Sequence, residues 1–278
     1  MSRFGVGDRD SVWWHGIIVP VVAVFSVPLL LMVLSSFKSA EELARNPFGL
    51  WPESWHGQNY ADALTSMPFA TYLANTITLC VGCVIGATFS CALVAYGLCR
   101  IQWRGSRWIF VLVMMTMLLP WQVTMIPRFV LISKLGLYNS LWAIILPAFL
   151  GNAFFIFLLR QFFISVPEQL LEAGRLDGLS HWGLFWRVMV PLSKPAIATV
   201  ALFQFVETWN DFGGPLLYLN DPERFPLAYG LERFVSSYGD QTHLLLAAAV
   251  MFTLPMLVLF FLAQKTFIQG ISTSGIKE

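Results

Sequence analysis

Six long apolar runs constrain the fold of this chain more than any other feature of its sequence. Each is close to the ~20 residues that a helix needs to cross a hydrocarbon core of ~30 Å. Because lipid offers no partner to free backbone N–H and C=O groups, such runs must span as helices. The predicted spans are residues 13–34, 72–98, 108–127, 141–159, 195–212 and 244–262. The sequence therefore predicts an all-α integral membrane protein with six transmembrane helices.

The scarcity of charge supports the same fold class. Only 12% of the residues are charged and 57% are hydrophobic, whereas a soluble domain carries about 25% charged residues. The net charge of +1 provides no overall field for nucleic acid, so no nucleic-acid partner is predicted. Five prolines inside the runs, Pro20, Pro28, Pro120, Pro147 and Pro255, predict kinks rather than breaks.

The distribution of Lys and Arg predicts how the chain crosses the membrane. If the N-terminus is cytoplasmic, the cytoplasmic segments carry eleven of these residues and the three outer loops carry six. Positive residues favour the cytoplasmic side. We therefore expect a multi-pass protein of the inner (cytoplasmic) cell membrane with both termini in the cytoplasm. The connection between the fourth and fifth runs, residues 165–195 and here called the elbow, should then face the cytoplasm too.

The elbow has the sequence signals of two short helices. Ser165 and Glu168 have the spacing of a capping box at a helix start. Gly178 suits a left-handed C-terminal cap, and Ser180 can cap a second helix that runs to Pro191, where the missing N–H stops it. The elbow also carries large apolar side chains: Leu171, Trp182, Phe185, Trp186 and Met189. This pattern indicates a docking site for another protein; the alternative is an amphipathic helix lying among the headgroups.

The elbow resembles the EAA loop of ABC importer permeases, whose pattern is E-A-A-x3-G-x9-I-x-L-P. This chain has Glu172-Ala173-Gly174, then Gly178, then Val188-Met189-Val190-Pro191. It departs from the pattern by Gly174 for the second Ala, Val188 for Ile and Val190 for Leu. The surrounding runs also fit, so the resemblance covers nearly the whole chain. The run Trp209-Asn210-Asp211-Phe212 and the tail 269–278 are similar to the maltose-type second permease subunit of carbohydrate importers.

The resemblance implies a type I ABC importer permease fold in three parts. Residues 1–70 would hold the N-terminal tail, the first transmembrane helix and the first outer loop. Residues 71–264 would form the ABC type-1 transmembrane domain with the elbow as its cytoplasmic coupling loop, and residues 265–278 a cytoplasmic tail. The last outer loop, residues 213–243, is expected to be turn-rich, polar and exposed, because it contains Pro215, Pro222 and Pro226.

The resemblance also implies partners. They are a second permease subunit forming a heterodimer, two ABC ATPase subunits that bind ATP and magnesium, an extracytoplasmic solute-binding protein at the last outer loop, a sugar substrate and the lipid bilayer. Closure of the ATPases would pull the elbows and reorient the helices, giving alternating access. The residues implied to couple to an ATPase are Glu172, Ala173, Gly174, Asp177, Gly178, Trp182, Phe185, Trp186 and Pro191.

Polar residues of the fifth run are candidates for a translocation path. Gln204, Glu207, Thr208 and Asp211 recur at spacings of three and four, so they share one helix face, with Asn210 beside it. A carboxylate at membrane depth costs about 2.5–3.5 kcal/mol and usually faces a bundle interior or a wet cavity. For Asp211 the alternative is that it only ends the helix among the headgroups. Glu207 is deeper and is the better candidate.

Other intramembrane polar residues extend this candidate path. Asn75, Gln122 and Asn152 could hydrogen-bond a sugar, or they could pin one helix to its neighbour; pinning is favoured for Asn75 and Asn152. Trp121 and Trp209 could offer apolar faces to a sugar ring. The predicted path residues are Asn75, Gln122, Asn152, Gln204, Glu207, Trp209, Asn210 and Asp211.

The sequence contains no catalytic pattern. It has no GxxxxGK[ST] phosphate loop, since no Gly-Lys dipeptide occurs. The chain itself is therefore expected to be no enzyme and to hold no cofactor or metal, with ATP hydrolysis in a partner. Cys80 and Cys83 form a CxxC at helical spacing, and two buried apolar thiols are favoured over a metal or redox pair.

Two other functions remain open from the sequence. One is a secondary transporter that uses Glu207 and Asp211 as an ion or proton relay, and the other is a membrane scaffold without transport. Secondary transporters commonly show internal repeats with matched broken helices. The sequence shows neither feature, which weakens the first alternative.

Overall fold

The computed structural model describes residues 8–237 and 241–275, and every regular element within them is helical. The first helices are α1 (Asp8–Ser35), α2 (Ala40–Arg45), α3 (Gln58–Ser66) and α4 (Phe69–Cys99). Next come α5 (Ser106–Thr116), α6 (Trp121–Lys134), α7 (Trp142–Ala148) and α8 (Ala153–Ser165). The elbow contains α9 (Glu168–Leu176), α10 (His181–Leu184), a π-helical turn (Phe185–Met189) and α11 (Val190–Leu192). The chain continues with α12 (Lys194–Trp209), α13 (Gly213–Tyr218), a 3-10 turn (Pro222–Arg224), α14 (Leu227–Ser237) and α15 (Thr242–Gly275).

The helices confirm the predicted six-span membrane fold. Among the described residues, four helices are long and apolar enough to cross a membrane: Trp14–Ser35, Phe69–Cys99, Trp142–Ser165 and Thr242–Gln264. Two more spans result if each of two bent helix pairs counts as one. The first pair is α5 with α6, and the second is the elbow segment His181–Leu192 with α12.

The third predicted span is broken rather than kinked. The axes of α5 and α6 differ by 102°. Pro120, in extended backbone, directly precedes α6. Because proline has no N–H, it cannot continue the hydrogen-bond ladder of α5, but it fits at the start of a new helix. The prediction that Pro120 kinks the helix rather than breaks it was therefore wrong, and the third span runs on to Lys134.

The fourth and fifth spans also differ from the predicted runs. Between α7 and α8 the chain turns at Gly151, which has φ of 91°, a value that favours glycine because it has no Cβ. The fourth span then continues to Ser165, beyond the predicted end. The helix α12 ends at Trp209, so residues 210–212 lie beyond the fifth helix.

The described residues form two compact units: residues 8–67 with 231–237 and 241–254, and residues 68–230 with 255–275. In the second unit, one apolar core joins α4, α8, the elbow and α12. Glycines on α4 allow close approach: a Cβ at Gly82 would lie 2.9 Å from Ile145, and one at Gly86 would lie 2.5 Å from Phe149. Small residues at such positions let neighbouring helices approach each other closely.

The cysteines of the CxxC pair contact different neighbours. The Cys80 thiol points to the carbonyl of Phe205 on α12 at 4.0 Å, and the Cys83 thiol to that of Ile144 on α7 at 3.8 Å. Both side chains are buried, and both cysteines are free. In the described residues, no group of three or more His, Cys, Asp or Glu is placed to hold a metal ion.

The first outer loop folds around a buried lysine in the first unit. Lys38 donates to the carbonyl of Gly49 at 2.5 Å. The Asn59 side chain donates to the carbonyls of Ser36 and Lys38 at 2.8 and 2.9 Å. Because these bonds satisfy buried polar groups, they hold the loop between α1 and α4 in one conformation.

The last outer loop is more ordered than predicted. It contains α13, the 3-10 turn and α14, and Tyr218, Leu219, Phe225 and Leu227 are buried in the second unit. The prediction of a polar, exposed loop was therefore wrong for this stretch, because the prolines stand between helices instead of in a free turn. Residues 238–240 of the predicted loop, the N-terminal residues 1–7 and the last three residues of the predicted tail lie outside the described residues.

Candidate functional site

The first helix of the elbow ends in a glycine turn. Gly178 has φ of 80°. Its N–H donates to the carbonyl of Arg175 at 3.0 Å, and the N–H of Leu179 donates to that of Gly174 at 2.9 Å. These are the two hydrogen bonds of a Schellman motif. The prediction of a left-handed cap at Gly178 is confirmed.

The second helix begins as predicted but does not end at Pro191. The Ser180 side chain accepts from the N–H of Gly183 at 3.3 Å, which confirms its capping role. The helix then widens: the N–H of Val190 bonds to the carbonyl of Phe185, a π-helical spacing. Pro191 lies in the first turn of α11, a position where helices tolerate proline, so the chain stays helical to Leu192. It then bends by 79° into α12.

The predicted capping box at the start of the elbow is wrong. Ser165 still belongs to α8, and its hydroxyl donates to the carbonyl of Phe162 at 2.7 Å. The Glu168 carboxylate is instead bound by two guanidinium groups, Arg100 at 2.5 Å and Arg175 at 3.0 Å. Charged donors outcompete a backbone N–H for this carboxylate, because charge-assisted hydrogen bonds are the stronger ones.

One side of the elbow is buried in the core of the second unit. Leu171, Gly174, Leu184, Phe185 and Met189 lie on this side. Phe185 is 1% exposed, and its ring meets that of Tyr96 on α4 edge-on at 5.3 Å. Gly174 and Phe185, two of the predicted coupling residues, therefore cannot contact a partner in this conformation. They hold the elbow on the core.

The other side of the elbow is exposed. It carries the remaining predicted coupling residues: Glu172, Ala173, Asp177, Gly178, Trp182, Trp186 and Pro191. Trp182 is 58% exposed, and its ring meets that of Trp186 at 5.9 Å in a T-shaped contact. Sequence reasoning missed Leu176, which is 88% exposed. Helical spacing could have predicted this exposure, because Leu176 does not lie on the same face of α9 as the buried Leu171 and Gly174.

The predicted path residues on α12 do not all point to a free space. Gln204 donates to the Thr208 hydroxyl at 2.9 Å, and Asn210 donates to the carbonyl of Val206 at 2.8 Å. Asp211 lies beyond the helix and accepts from the N–H of Gly214 at 3.0 Å, so it helps to start α13. Glu207 is exposed on α12.

Asn75 and Asn152 make structural contacts in the second unit. Asn75 donates to the carbonyls of Glu223 and Phe225 at 2.8 and 3.1 Å and so ties α4 to the 3-10 turn. The Asn152 side chain caps α8 by accepting from the N–H of Phe154 at 2.9 Å. The contact of Asn75 is of the pinning kind favoured from the sequence. Asn152 instead caps its own helix, which is a structural role but not the predicted pin.

The aromatic candidates have different environments. Trp209 is buried, and its ring stacks on that of Phe205 at 5.5 Å, so it offers no free face. Trp121 is partly exposed at the start of α6, and a Cβ on Gly213 would lie 3.3 Å from its ring. The fold thus brings Trp121 next to the turn that follows α12, and Gln122, the next residue of α6, is exposed.

Comparisons with known proteins agree with this arrangement. Residues 85–273 match the model of the family described as binding-protein-dependent transport system inner membrane component. The chain is 33% identical to the probable ABC transporter permease protein YurM of Bacillus subtilis, over 95% of this chain and 87% of that protein. It is 32% identical to the arabinooligosaccharides transport system permease protein AraQ of Halalkalibacterium halodurans, over 93% of each chain.

Two further likenesses concern substrate names and the fold. The diacetylchitobiose uptake system permease protein NgcG of Streptomyces coelicolor is 31% identical, with 93% of this chain and 86% of that protein covered. Among solved structures, a chain of a bacterial ABC transporter involved in the import of the acidic polysaccharide alginate has a TM-score of 0.82 and 26% identity. That likeness covers 95% of this chain and 99% of the other.

Proposed function

Because the chain belongs to the family of binding-protein-dependent transport system inner membrane components, we propose that it is a permease subunit of an ATP-driven importer of carbohydrates. Relatives named for arabinooligosaccharides and diacetylchitobiose, and a structural neighbour named for alginate import, support a saccharide substrate. Since one of those names is an acidic polysaccharide and another is a disaccharide derivative, a saccharide of more than one sugar unit is the substrate class that they have in common. A secondary transporter driven by Glu207 and Asp211 is disfavoured by this family membership.

The partners in this proposal are a second permease, two ABC ATPases that bind ATP and magnesium, and an extracytoplasmic solute-binding protein. The chain would lie in the inner membrane with both termini and the elbow in the cytoplasm. That orientation agrees with the excess of Lys and Arg on the proposed cytoplasmic side.

The observation that carries the coupling role is the two-sided elbow. Its buried side is continuous with the core of α4, α8 and α12, while Leu176 and Trp182 extend from the other side. Large exposed apolar side chains on a rigid base are typical of a protein–protein contact. An ATPase that binds them can therefore move the membrane helices without first unfolding the elbow.

The translocation path in this proposal includes only the exposed candidates. Glu207 and Gln122 are exposed, and Trp121 presents part of its ring. Glu207 would accept hydrogen bonds from sugar hydroxyls, and Trp121 would pack on an apolar sugar face. Asn75, Asn152 and Trp209 would support the helices around the path, because their side chains are used in internal contacts.

Alanine variants of the exposed elbow residues test this function. In the complete complex, Leu176→Ala and Trp182→Ala should each lower the amount of co-purifying ATPase, with uptake falling at least tenfold, because truncating a contact anchor commonly costs about 2 kcal/mol or more. The control is Leu118→Ala, since Leu118 is 82% exposed but lies in the break between α5 and α6. ATPase content and uptake that match the control would contradict the proposal, as would uphill uptake by this chain alone.

A further inference from the structure

Arg100 joins the ends of three helices in the second unit. It directly follows α4, and its side chain is only 9% exposed. Its Nε and Nη2 donate to the carbonyl of Phe163 at 3.2 and 2.5 Å, and Nη2 also donates to the carbonyl of Val166. Its Nη1 donates to Glu168 at 2.5 Å. One guanidinium therefore contacts the end of α8 and the start of α9 at the same time.

The contacts suit the electrostatics of both helix ends. The last carbonyls of a helix lack intrahelical donors and carry a partial negative charge, so a cation at the C-terminus of α8 is favourable. Glu168 is an acidic side chain in the first turn of α9, which is also favourable. Arg175 binds the second oxygen of Glu168 at 3.0 Å and thereby secures the carboxylate to the next turns of α9.

The fork geometry of arginine matters here because several acceptors must be bound from one position. A lysine at residue 100 would supply the charge as a single rotating ammonium group, without the planar array of five donors. The elbow is thus attached to α4 by a directional polar connection as well as by the apolar contact of Phe185 with Tyr96.

The helix α4, whose C-terminus is followed by Arg100, packs against α12, which carries a residue of the proposed path. Ala87, Cys91 and Ala95 of α4 are buried in the same core as Ala196 and Val200 of α12. A closely packed interface between two helices transmits displacement because it has no voids to absorb it. A movement of α4 must therefore be followed by α12, which carries Glu207.

We propose that Arg100 is a positioning residue for transport, which transfers movement of the elbow to α4 and through it to α12. This inference rests on the proposed coupling function of the elbow. It assigns the transfer to the polar connection of Arg100 with Phe163, Val166 and Glu168. If apolar packing transmitted the movement alone, Arg100 would add only stability.

The test measures sugar imported per ATP hydrolysed in the reconstituted complete transporter with its binding protein. Arg100→Gln should leave ATPase co-purification at the wild-type level but lower this ratio by about 2- to 30-fold, the range of coupling effects seen for residues away from ligands. Arg100→Lys should recover part of the ratio, since it keeps the charge near Glu168. Arg104→Gln is the matched control, because Arg104 is exposed in the same connection.

The outcomes separate this inference from the proposed function. A wild-type ratio in Arg100→Gln overturns the inference, as does a loss of uptake that only follows the amount of assembled complex. If the Arg100→Gln transporter does not assemble, Glu168→Gln is the deciding variant, since it keeps a hydrogen-bond acceptor but removes the charge. A lowered ratio of sugar imported to ATP hydrolysed in Glu168→Gln supports the inference, and an unchanged ratio overturns it. Failure of the proposed function has a different signature, namely unchanged ATPase content in Leu176→Ala and Trp182→Ala.

Discussion

Replacing Gly178 by alanine tests whether the turn between the elbow helices must be rigid. The φ of this residue is 80°, and an added Cβ would meet nothing within 4 Å. The cost is therefore confined to the backbone, where a left-handed L-residue loses roughly 1–2 kcal/mol. A penalty of that size raises the population of the opened turn by a factor of about 5–30. Opening would break the bond from the N–H of Leu179 to the carbonyl of Gly174.

The chain contains a matched control for this substitution at Gly136. Its φ is 70°, and a Cβ there would also meet nothing within 4 Å. The turn is of the same type, since the N–H of Gly136 donates to Ser133 and that of Leu137 to Ile132, both at 3.1 Å. Gly136→Ala therefore imposes a similar backbone cost at the end of α6, outside the elbow.

The assay compares the two variants in the complete transporter. Both should lower the thermal stability of the complex to a similar extent. Only Gly178→Ala should lower ATPase co-purification and uptake, because only that turn sets the angle between α9 and α10. Equal uptake by the two variants would refute the reasoning, since elbow geometry would then contribute nothing beyond general stability.

Two further predictions concern residues inside the second unit. Asn152→Ala should destabilise the complex by about 0.5–2 kcal/mol in thermal or denaturant unfolding, because the cap on α8 is lost. Asn152→Ser should keep the cap, and its substrate concentration for half-maximal uptake should equal that of the wild type. A higher concentration for Asn152→Ser would instead indicate that Asn152 contacts the sugar. Gly86→Ala should lower the free energy of unfolding by about 1–3 kcal/mol, because the added methyl group overpacks against Phe149. Gly97→Ala on the same helix should be tolerated, since a Cβ there meets nothing within 4 Å. Equal stability of the two variants would contradict the packing geometry.

The sequence predicted correctly those features that depend only on residues close together in the chain. The apolar runs predicted the spans, because burial in lipid depends on the composition of each run alone. Gly178 and Ser180 were predicted correctly, since a left-handed cap and an N-cap each involve atoms only a few residues apart. The break at Pro120 was underestimated: one proline predicts a change in a helix, but the 102° angle depends on what α5 and α6 pack against.

Contacts between distant residues decided the features that were missed. Ser165 and Glu168 have the spacing of a capping box, but Arg100, 68 positions before Glu168, binds the carboxylate instead. In the sequence Arg100 was only one of several positive residues that predicted orientation. Trp209 belonged to the candidate path, but it is buried, and its ring stacks on that of Phe205, four positions earlier on α12. The i,i+4 spacing of this pair was visible in the sequence, whereas the burial of that side of α12 depends on other helices.

The structure also explains why this elbow departs from the family pattern at Gly174. Residue 174 lies on the buried side of α9, where a Cβ would come within 2.7 Å of Leu184 on α10. An alanine there requires the Leu184 side chain to shift, whereas glycine lets the two short helices approach closely. Glu172, two positions earlier, is on the exposed side. The three residues Glu172-Ala173-Gly174 therefore serve two purposes: the first is available to a partner, and the third sets how closely α9 packs on α10. Changes at Glu172 should act through partner contact, and changes at Gly174 through the packing between the helices.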